Sequence, residues 1–357
     1  MKRISTMQLR PGMRVEEDVM NLDHQLIIKK GTILTDAIIT KLNLYGILTV
    51  YIDENFPPVP EKIPNQSYYE RVRKSKEFKK FKEEYDAEVD SFKEHLNNVV
   101  ERNATIDVKE MLAVPLKLVL EAKGRVNVLD MLSNMREYDD STFNHCLNVA
   151  LICNVFATWL KLDEAEVEMA TACGLFHDIG KLLIPKEIVT KPGALTDEEY
   201  TIIKRHPEEG YRLLLDNHVD KHICNAALMH HERCDGGGYP LRLKDKYIDG
   251  YAKMVAIADV YDAMTSARVY RGPLCPFKVI EIFVSECFQR YDVIFVLTFL
   301  ENICHTYIQN RCRLSDGREG QIIFLNKYSL SRPVVQCGSE YVDLSKEPNS
   351  LYIESLL

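Results

Sequence analysis

The rhythm of apolar and polar positions changes three times along the chain, and each change marks a different kind of element. Residues 1–56 carry short apolar runs at 13–19, 25–34 and 47–52 that read as strands, while Thr35 and Asp36 can cap a helix reaching Tyr45 and Gly46 can end it. This stretch is expected to form a small α/β domain. Pro57, Pro58, Pro60 and Pro64 then read as a linker. Across 68–102 the period becomes helical, with Phe78, Phe81, Tyr85, Val89 and Phe92 recurring every third or fourth residue in a sequence dense in Lys and Glu. Such a charge-rich amphipathic helix reads as a solvated spacer or a homodimer contact, so 57–104 is assigned to linker plus helix.

Residues 105–310 read as successive helices. Asp163-x-x-Glu166 and Thr196-x-x-Glu199 have the form of capping boxes, and Pro276 suits a first helical turn. The longest apolar stretch, 147–160, is interrupted by Asn148, Asn154 and Thr158 and is shorter than the ~20 residues a spanning helix needs, so no membrane segment is expected. Over 311–357 the pattern shortens again, to runs at 320–325, 334–337 and 341–344 divided by Gly and Pro, which predicts a β-hairpin appendage. The expected fold is mainly α, a helical bundle with small β-containing units at both ends and α+β overall. Neither an internal repeat nor a low-complexity tract interrupts it.

Composition narrows the function. A chain of 357 residues with 46% hydrophobic content can bury at least one full core. The ten cysteines are scattered with no CxxC pair, and Met1-Lys2-Arg3-Ile4 does not open a secretory leader, which points to a reducing cytosol and a cytoplasmic location. A formal net charge of -8 and a pI near 5.8 argue against binding DNA or another polyanion, since such proteins carry a basic stripe. A small anionic substrate would need local cations instead.

The helical region holds His145, the pair His177-Asp178, His206, the pair His230-His231, and Asp259. Singly, each has a plain structural explanation. Together, each histidine lies in or at the end of an apolar helical stretch, so a bundle can bring them into its core. Imidazole mixed with carboxylate suits iron, manganese or zinc better than magnesium. In His177-Asp178 the aspartate can bridge two ions while the histidine, about 100° round the helix, serves one of them. Two-metal sites of this kind acidify a water and clamp phosphate oxygens, the chemistry that hydrolysis of a diester demands.

Three strings carry a resemblance: Phe176-His177-Asp178-Ile179-Gly180-Lys181, then Lys204-Arg205-His206-Pro207-Glu208-Glu209-Gly210, then His230-His231-Glu232-Arg233-Cys234-Asp235-Gly236-Gly237-Gly238-Tyr239-Pro240. In order, and continuing through Ile257-Ala258-Asp259-Val260-Tyr261-Asp262-Ala263-Met264-Thr265-Ser266, they strongly resemble the HD-GYP branch of the HD phosphohydrolases over about 139–271. The unit at 1–56 is similar to the small domain often found ahead of such modules. The resemblance implies an HD-type helical catalytic domain with metal ligands at His145, His177, Asp178, His206, His230, His231 and Asp259, Asp178 bridging. It implies catalytic roles for His177, Asp178 and Lys181, with Lys181 holding a substrate phosphate and the leaving oxygen. It further implies substrate contacts at Asp262, Arg268 and Arg271, two arginines suited to bidentate phosphate contacts. Tyr239 offers an aromatic face on which a guanine could stack. The loop 236–240, a turn by composition, is implied to shape the pocket or dock protein partners.

The family glutamate that holds a third ion four residues before the first histidine is Ser141 here, which favours a two-metal centre of iron or manganese. The activity implied is hydrolysis of 3',5'-cyclic di-GMP, in bacterial second-messenger signalling, with pGpG as the product and a further step to GMP left open. Another cyclic dinucleotide such as 3',3'-cyclic GMP-AMP, a mononucleotide, or a role as a signalling adaptor that binds ligand without turnover stay open.

Overall fold

Two hydrophobic cores organise the described residues. The computed structural model describes residues 2–6, 9, 12–20, 26–34, 38–39, 42, 47–53, 72–102, 104–121, 128–135, 142–191, 195–265, 274–286 and 288–357. Thr35, Asp36, Gly46 and the four linker prolines lie outside the described residues. The smaller core gathers Leu9, Val15, Val19, Ile28, Leu34, Ile39, Leu42, Val50 and Ile52. Around it β1 (Lys2–Ser5) pairs antiparallel with β4 (Thr49–Ile52), and β2 (Val19–Met20) with β3 (Leu26–Ile28). Strand β1 is absent from the sequence reading because Lys2 and Arg3 are exposed and give it no apolar alternation. The run 13–19 is mostly irregular instead of one strand: Arg14 and Val15 make isolated bridges to Ile33 and Ile52, and regular pairing starts only at Val19.

The larger core is helical. Helix α1 (Lys76–Arg102) buries Phe78, Phe81, Tyr85, Val89, Phe92, Leu96 and Val99 within the chain. The apolar stripe is thus packed into the bundle, which corrects the reading of this helix as a solvated spacer. The Tyr85 hydroxyl donates to Asn148 Oδ1 at 2.7 Å, and Phe92 meets Phe143 and Phe176 edge-on. Helices α2 (Val108–Glu121) and α3 (Val128–Met135) lead to α4 (Thr142–Trp159) and α5 (Glu164–Phe176), which pack closely on each other. Helix α4 is buried on nearly every side, so it shows no amphipathic period. Its interrupting Asn148 and Asn154 are satisfied internally, the latter donating to Thr171 Oγ1 at 3.0 Å.

A 3-10 turn at Ile179–Leu183 follows, then α6 (Lys186–Val189), α7 (Asp197–Ile203), α8 (His206–Asp216), α9 (Lys221–Met229), α10 (Gly250–Thr265), α11 (Pro276–Glu286) and α12 (Val293–Thr306). Both capping boxes form, Asp163 with Glu166 on α5 and Thr196 with Glu199 on α7, and Pro276 opens α11. No helix among the described residues is long and apolar enough to cross a membrane.

The C-terminal unit is larger than a hairpin. Strands β5 (Arg311–Leu314), β6 (Glu319–Phe324), β7 (Val334–Cys337), β8 (Glu340–Asp343) and β9 (Ile353–Leu356) form one antiparallel sheet in the order β8-β7-β6-β5-β9. Its inward residues Leu314, Ile322, Val335 and Ile353 join the same core as the helices, so it is no loose appendage. Strands β5 and β9 escape the sequence reading because two arginines occupy one face of β5 and β9 is only four residues at the chain end.

Replacing Tyr85 by Phe removes the buried bond that ties α1 to α4 and should lower stability by ~1 kcal/mol. A denaturant midpoint shifted down at constant slope checks this, and an unshifted midpoint would show the bond to be neutral.

Candidate metal centre

The centre is assembled from helix ends. Helix α5 finishes at His177, whose Nδ1–H donates to Gly174 O at 2.8 Å, and the backbone then leaves helical geometry at Asp178 to enter the 3-10 turn. That turn lies directly on the start of α8, because residue 180 is glycine: a Cβ there would fall 1.9 Å from His206 O. His206 is the first residue of α8 and donates Nδ1–H to Ile203 O at 2.8 Å. His230 closes α9 and donates Nδ1–H to Ala227 O at 2.9 Å. On His177, His206 and His230 alike, Nδ1 faces a backbone carbonyl, which leaves Nε2 directed inward.

Those Nε2 atoms converge on Asp178, which is buried. His206 Nε2 and His230 Nε2 lie 3.2 Å apart, and they stand 3.2 and 3.6 Å from Asp178 Oδ1. Neither Asp178 Oδ1 nor His177 Nε2 makes an aligned hydrogen bond. A buried carboxylate oxygen and a buried ring nitrogen left without aligned hydrogen bonds are costly unless a cation sits among them. Burial dominates at the imidazoles, holding His206 below its ordinary pKa and His231 well below, so both rings stay neutral and able to ligate.

On the other side of Asp178, its Oδ2 lies 3.4 Å from His177 Nε2 and 3.6 Å from His145 Nε2, and Lys181 Nζ donates to it at 2.5 Å. Burial alone would raise the Asp178 pKa, but Lys181 and then His177 outweigh it and hold the carboxyl well below the usual range. His145 comes from α4, with Nε2 3.1 Å from Asp259 Oδ1 and Nδ1 2.9 Å from Asp262 Oδ2, both carboxylates on α10. Burial opposes a charge on His145, yet the hydrogen bonds to Asp259 and Asp262 prevail and push its pKa up to about 10 in the metal-free chain.

Two donor groups result, Asp178 with His206, His230 and His231, and His145 with His177 and Asp178, the donor atoms of each lying within 4.8 Å of one another. Asp178 belongs to both. All seven ligand positions expected from the sequence thus meet in one place, Asp259 entering through His145. The donor set fits a divalent metal.

The substrate positions divide. Lys181 is at the centre, and Tyr239 stacks on His231 with ring centroids 4.7 Å apart. Asp262 is buried behind His145, where it orients the imidazole, a different place from the substrate contact expected of it. Arg268, Arg271 and Ser141 lie outside the described residues.

Three residues of the motif strings, Glu232, Gly238 and Lys204, have roles that their positions in the sequence do not announce. Glu232, 2% exposed, accepts the backbone N–H of Leu241 at 2.6 Å and of Leu243 at 2.8 Å, pinning the loop that carries Tyr239. Gly238 lets this loop lie against its own start, since a Cβ there would fall 2.5 Å from Glu232 Cα. Lys204 places its Nζ 4.5 Å from the Tyr239 ring centroid, and its pKa is lowered by burial and by the charges of Arg242 and Arg233. The only signal available was a glutamate abutting the histidine pair; its partners are backbone amides, which spacing does not reveal.

A family model described as an HD domain matches residues 114–293, and one described as a domain of unknown function (DUF3391) matches residues 1–126. A cyclic di-GMP phosphodiesterase of Pseudomonas aeruginosa is 35% identical over 211 residues, 59% of this chain and 51% of that protein. The 3'3'-cGAMP-specific phosphodiesterase 1 of Vibrio cholerae is 39% identical over 160 residues, 45% of this chain and 36% of that protein. The chain therefore spans about half or less of the length of these curated relatives. Among solved structures, an HDG"Y"P protein of Bdellovibrio bacteriovorus matches at a TM-score of 0.48 and 17% identity, covering 85% of this chain and 99% of that one.

Asp262→Asn should weaken metal binding about 10–100-fold, as loss of an orienting partner does. The same variant tests the charge on His145. Because the folded pKa of about 10 exceeds the unfolded ~6.5, the stabilisation is complete below about pH 6.5 and is lost as pH rises through about 10. Thermal melts of the metal-free chain should therefore decline across that window, and less steeply in Asp262→Asn. Identical slopes would contradict the assignment.

Proposed function

The chain belongs to the HD domain family, and from that premise we propose that it is a metal-dependent phosphodiesterase that opens 3',5'-cyclic di-GMP to the linear dinucleotide pGpG. The observation that carries the reading is Asp178, the one donor common to two ligand groups. It supports a centre of two divalent ions, iron or manganese by the mixture of imidazole and carboxylate. His145, His177, Asp178 and Asp259 would hold one ion, and Asp178, His206, His230 and His231 the other. Bound there, the pair supplies an acidified water and neutralises charge on the phosphate oxygens.

The chain's own groups do the rest. Lys181, on Asp178 Oδ2, has its ammonium where a substrate phosphate would approach and can steady the leaving oxygen. Tyr239 forms a wall of the site against His231, and Asp262 fixes the direction of His145. Arg268 and Arg271 supply bidentate phosphate contacts in this reading. The relative named for 3'3'-cGAMP favours a second substrate reading, since both cyclic dinucleotides present the same phosphodiester to the same centre.

Turnover of cyclic di-GMP and of 3',3'-cyclic GMP-AMP, side by side on anaerobically purified protein reconstituted with iron or manganese, tests the proposal. Formation of pGpG or GMP at the higher kcat/KM supports it. A preference for cyclic GMP-AMP would replace the substrate. Full activity in a His177→Ala, Asp178→Ala double variant would defeat the mechanism.

A further inference from the structure

Beside the metal centre lies a second concentration of chemistry that the hydrolysis itself does not use. Lys204 caps the C-terminal end of α7, two positions before the ligand His206. Its ammonium stands over the Tyr239 ring at 4.5 Å and over the Tyr200 ring at 5.2 Å, and Tyr239 in turn lies stacked at 27° on His231. A column of aromatic contacts thus leads from a metal-binding imidazole to a lysine.

Three other lysines of the helical region are neutralised, Lys181 by Asp178, Lys191 by Glu199, and Lys253 by Asp245 and Asp292. Lys204 makes no ion pair among the described residues, and the charges it feels are those of Arg242 and Arg233. A lysine ammonium left without a counter-charge beside a buried site is out of character for a chain of net charge -8 and suits an anionic ligand.

The backbone around Arg242 is built with equal care. Arg242 adopts a φ of 55°, in the left-handed region that costs a non-glycine residue energy. Its two neighbours, Leu241 and Leu243, are both held through their amides by the buried Glu232. The side chain is exposed while its main chain is fastened on both sides, the arrangement expected of a group presented to a ligand.

We propose that Lys204, with Arg242 on the loop that carries Tyr239, seats the second phosphate of the cyclic dinucleotide, the one that is not cut. The inference rests on the substrate class proposed above. The two phosphates of such a ring are each reached from the other through one ribose, and a phosphate at the metals leaves its twin to be neutralised elsewhere. A lysine one ring stack away from His231 meets that need, and it distinguishes a dinucleotide from a mononucleotide, which has no second phosphate to offer.

The test is equilibrium binding of the bisphosphorothioate analogue of cyclic di-GMP, which resists hydrolysis, to the metal-loaded full chain, with turnover of cyclic di-GMP followed in parallel. Lys204→Met should raise Kd roughly tenfold and flatten its salt dependence, as loss of one charge-assisted phosphate contact does. Lys204→Arg should restore binding, and metal content should stay unchanged in both. An unaltered Kd in Lys204→Met overturns the proposal, as does loss of metal in that variant, which would make Lys204 a prop for the ligand helix. Binding that depends on Lys204 without any turnover by the wild type would defeat the hydrolase reading and leave this one standing. Turnover with a KM indifferent to Lys204 would do the reverse.

Discussion

Burying a carboxylate between imidazoles whose Nδ1 atoms face backbone carbonyls is costly, and the architecture around Asp178 exists to hold that arrangement. An isolated charge in a protein interior costs several kcal/mol after relaxation, so it persists only when partners are supplied from every side. Here the partners arrive on separate elements: His177 from the end of α5, His206 from the start of α8, His230 from the end of α9, Lys181 from the 3-10 turn. Helix ends are where a side chain can reach inward while its own imidazole is satisfied by a carbonyl of the last turn, and three of the histidines use that geometry. The close approach permitted by Gly180 is what brings the turn carrying Asp178 onto α8.

The packing of the bundle follows from this constraint. Helix α4 must deliver His145 from within the core, so it is buried nearly all round and its polar residues are paired internally. Helix α1 covers the outside of α4 with its aromatic stripe, and α10 lines up Asp259 and Asp262 to receive the two nitrogens of a single imidazole. His145 therefore bears a proton when no metal is bound, between two carboxylates that would otherwise repel each other. A metal taken up by His145 would displace that proton, coupling loading of the site to pH.

Much of this was legible in the sequence, and for identifiable reasons. Capping boxes at Asp163 and Thr196 announce themselves by local spacing, and the residues of the His/Asp cluster stand out because histidine and aspartate recur in a fixed order on apolar helices. What escaped depends on contacts distant in sequence. The stripe of α1 looks the same whether it faces solvent, a second chain or its own bundle, and only the fold decides for the last. Strands β5 and β9 take their identity from their neighbours in the sheet and not from their own residues. Asp262 reads as a substrate group until His145 is found in front of it. Glu232 and Lys204 act through backbone amides and ring faces, partners that leave no mark in a linear pattern.

The central claim is that one buried carboxylate serves two ligand groups at once. Metal stoichiometry of the wild type and of Asp178→Asn, counted by elemental mass spectrometry after reconstitution with iron or manganese, tests it most directly. The account predicts two ions per chain in the wild type and loss of both together in the variant, since neither group is complete without Asp178. A wild type that binds a single ion, or a variant that keeps one ion at full affinity, would contradict it.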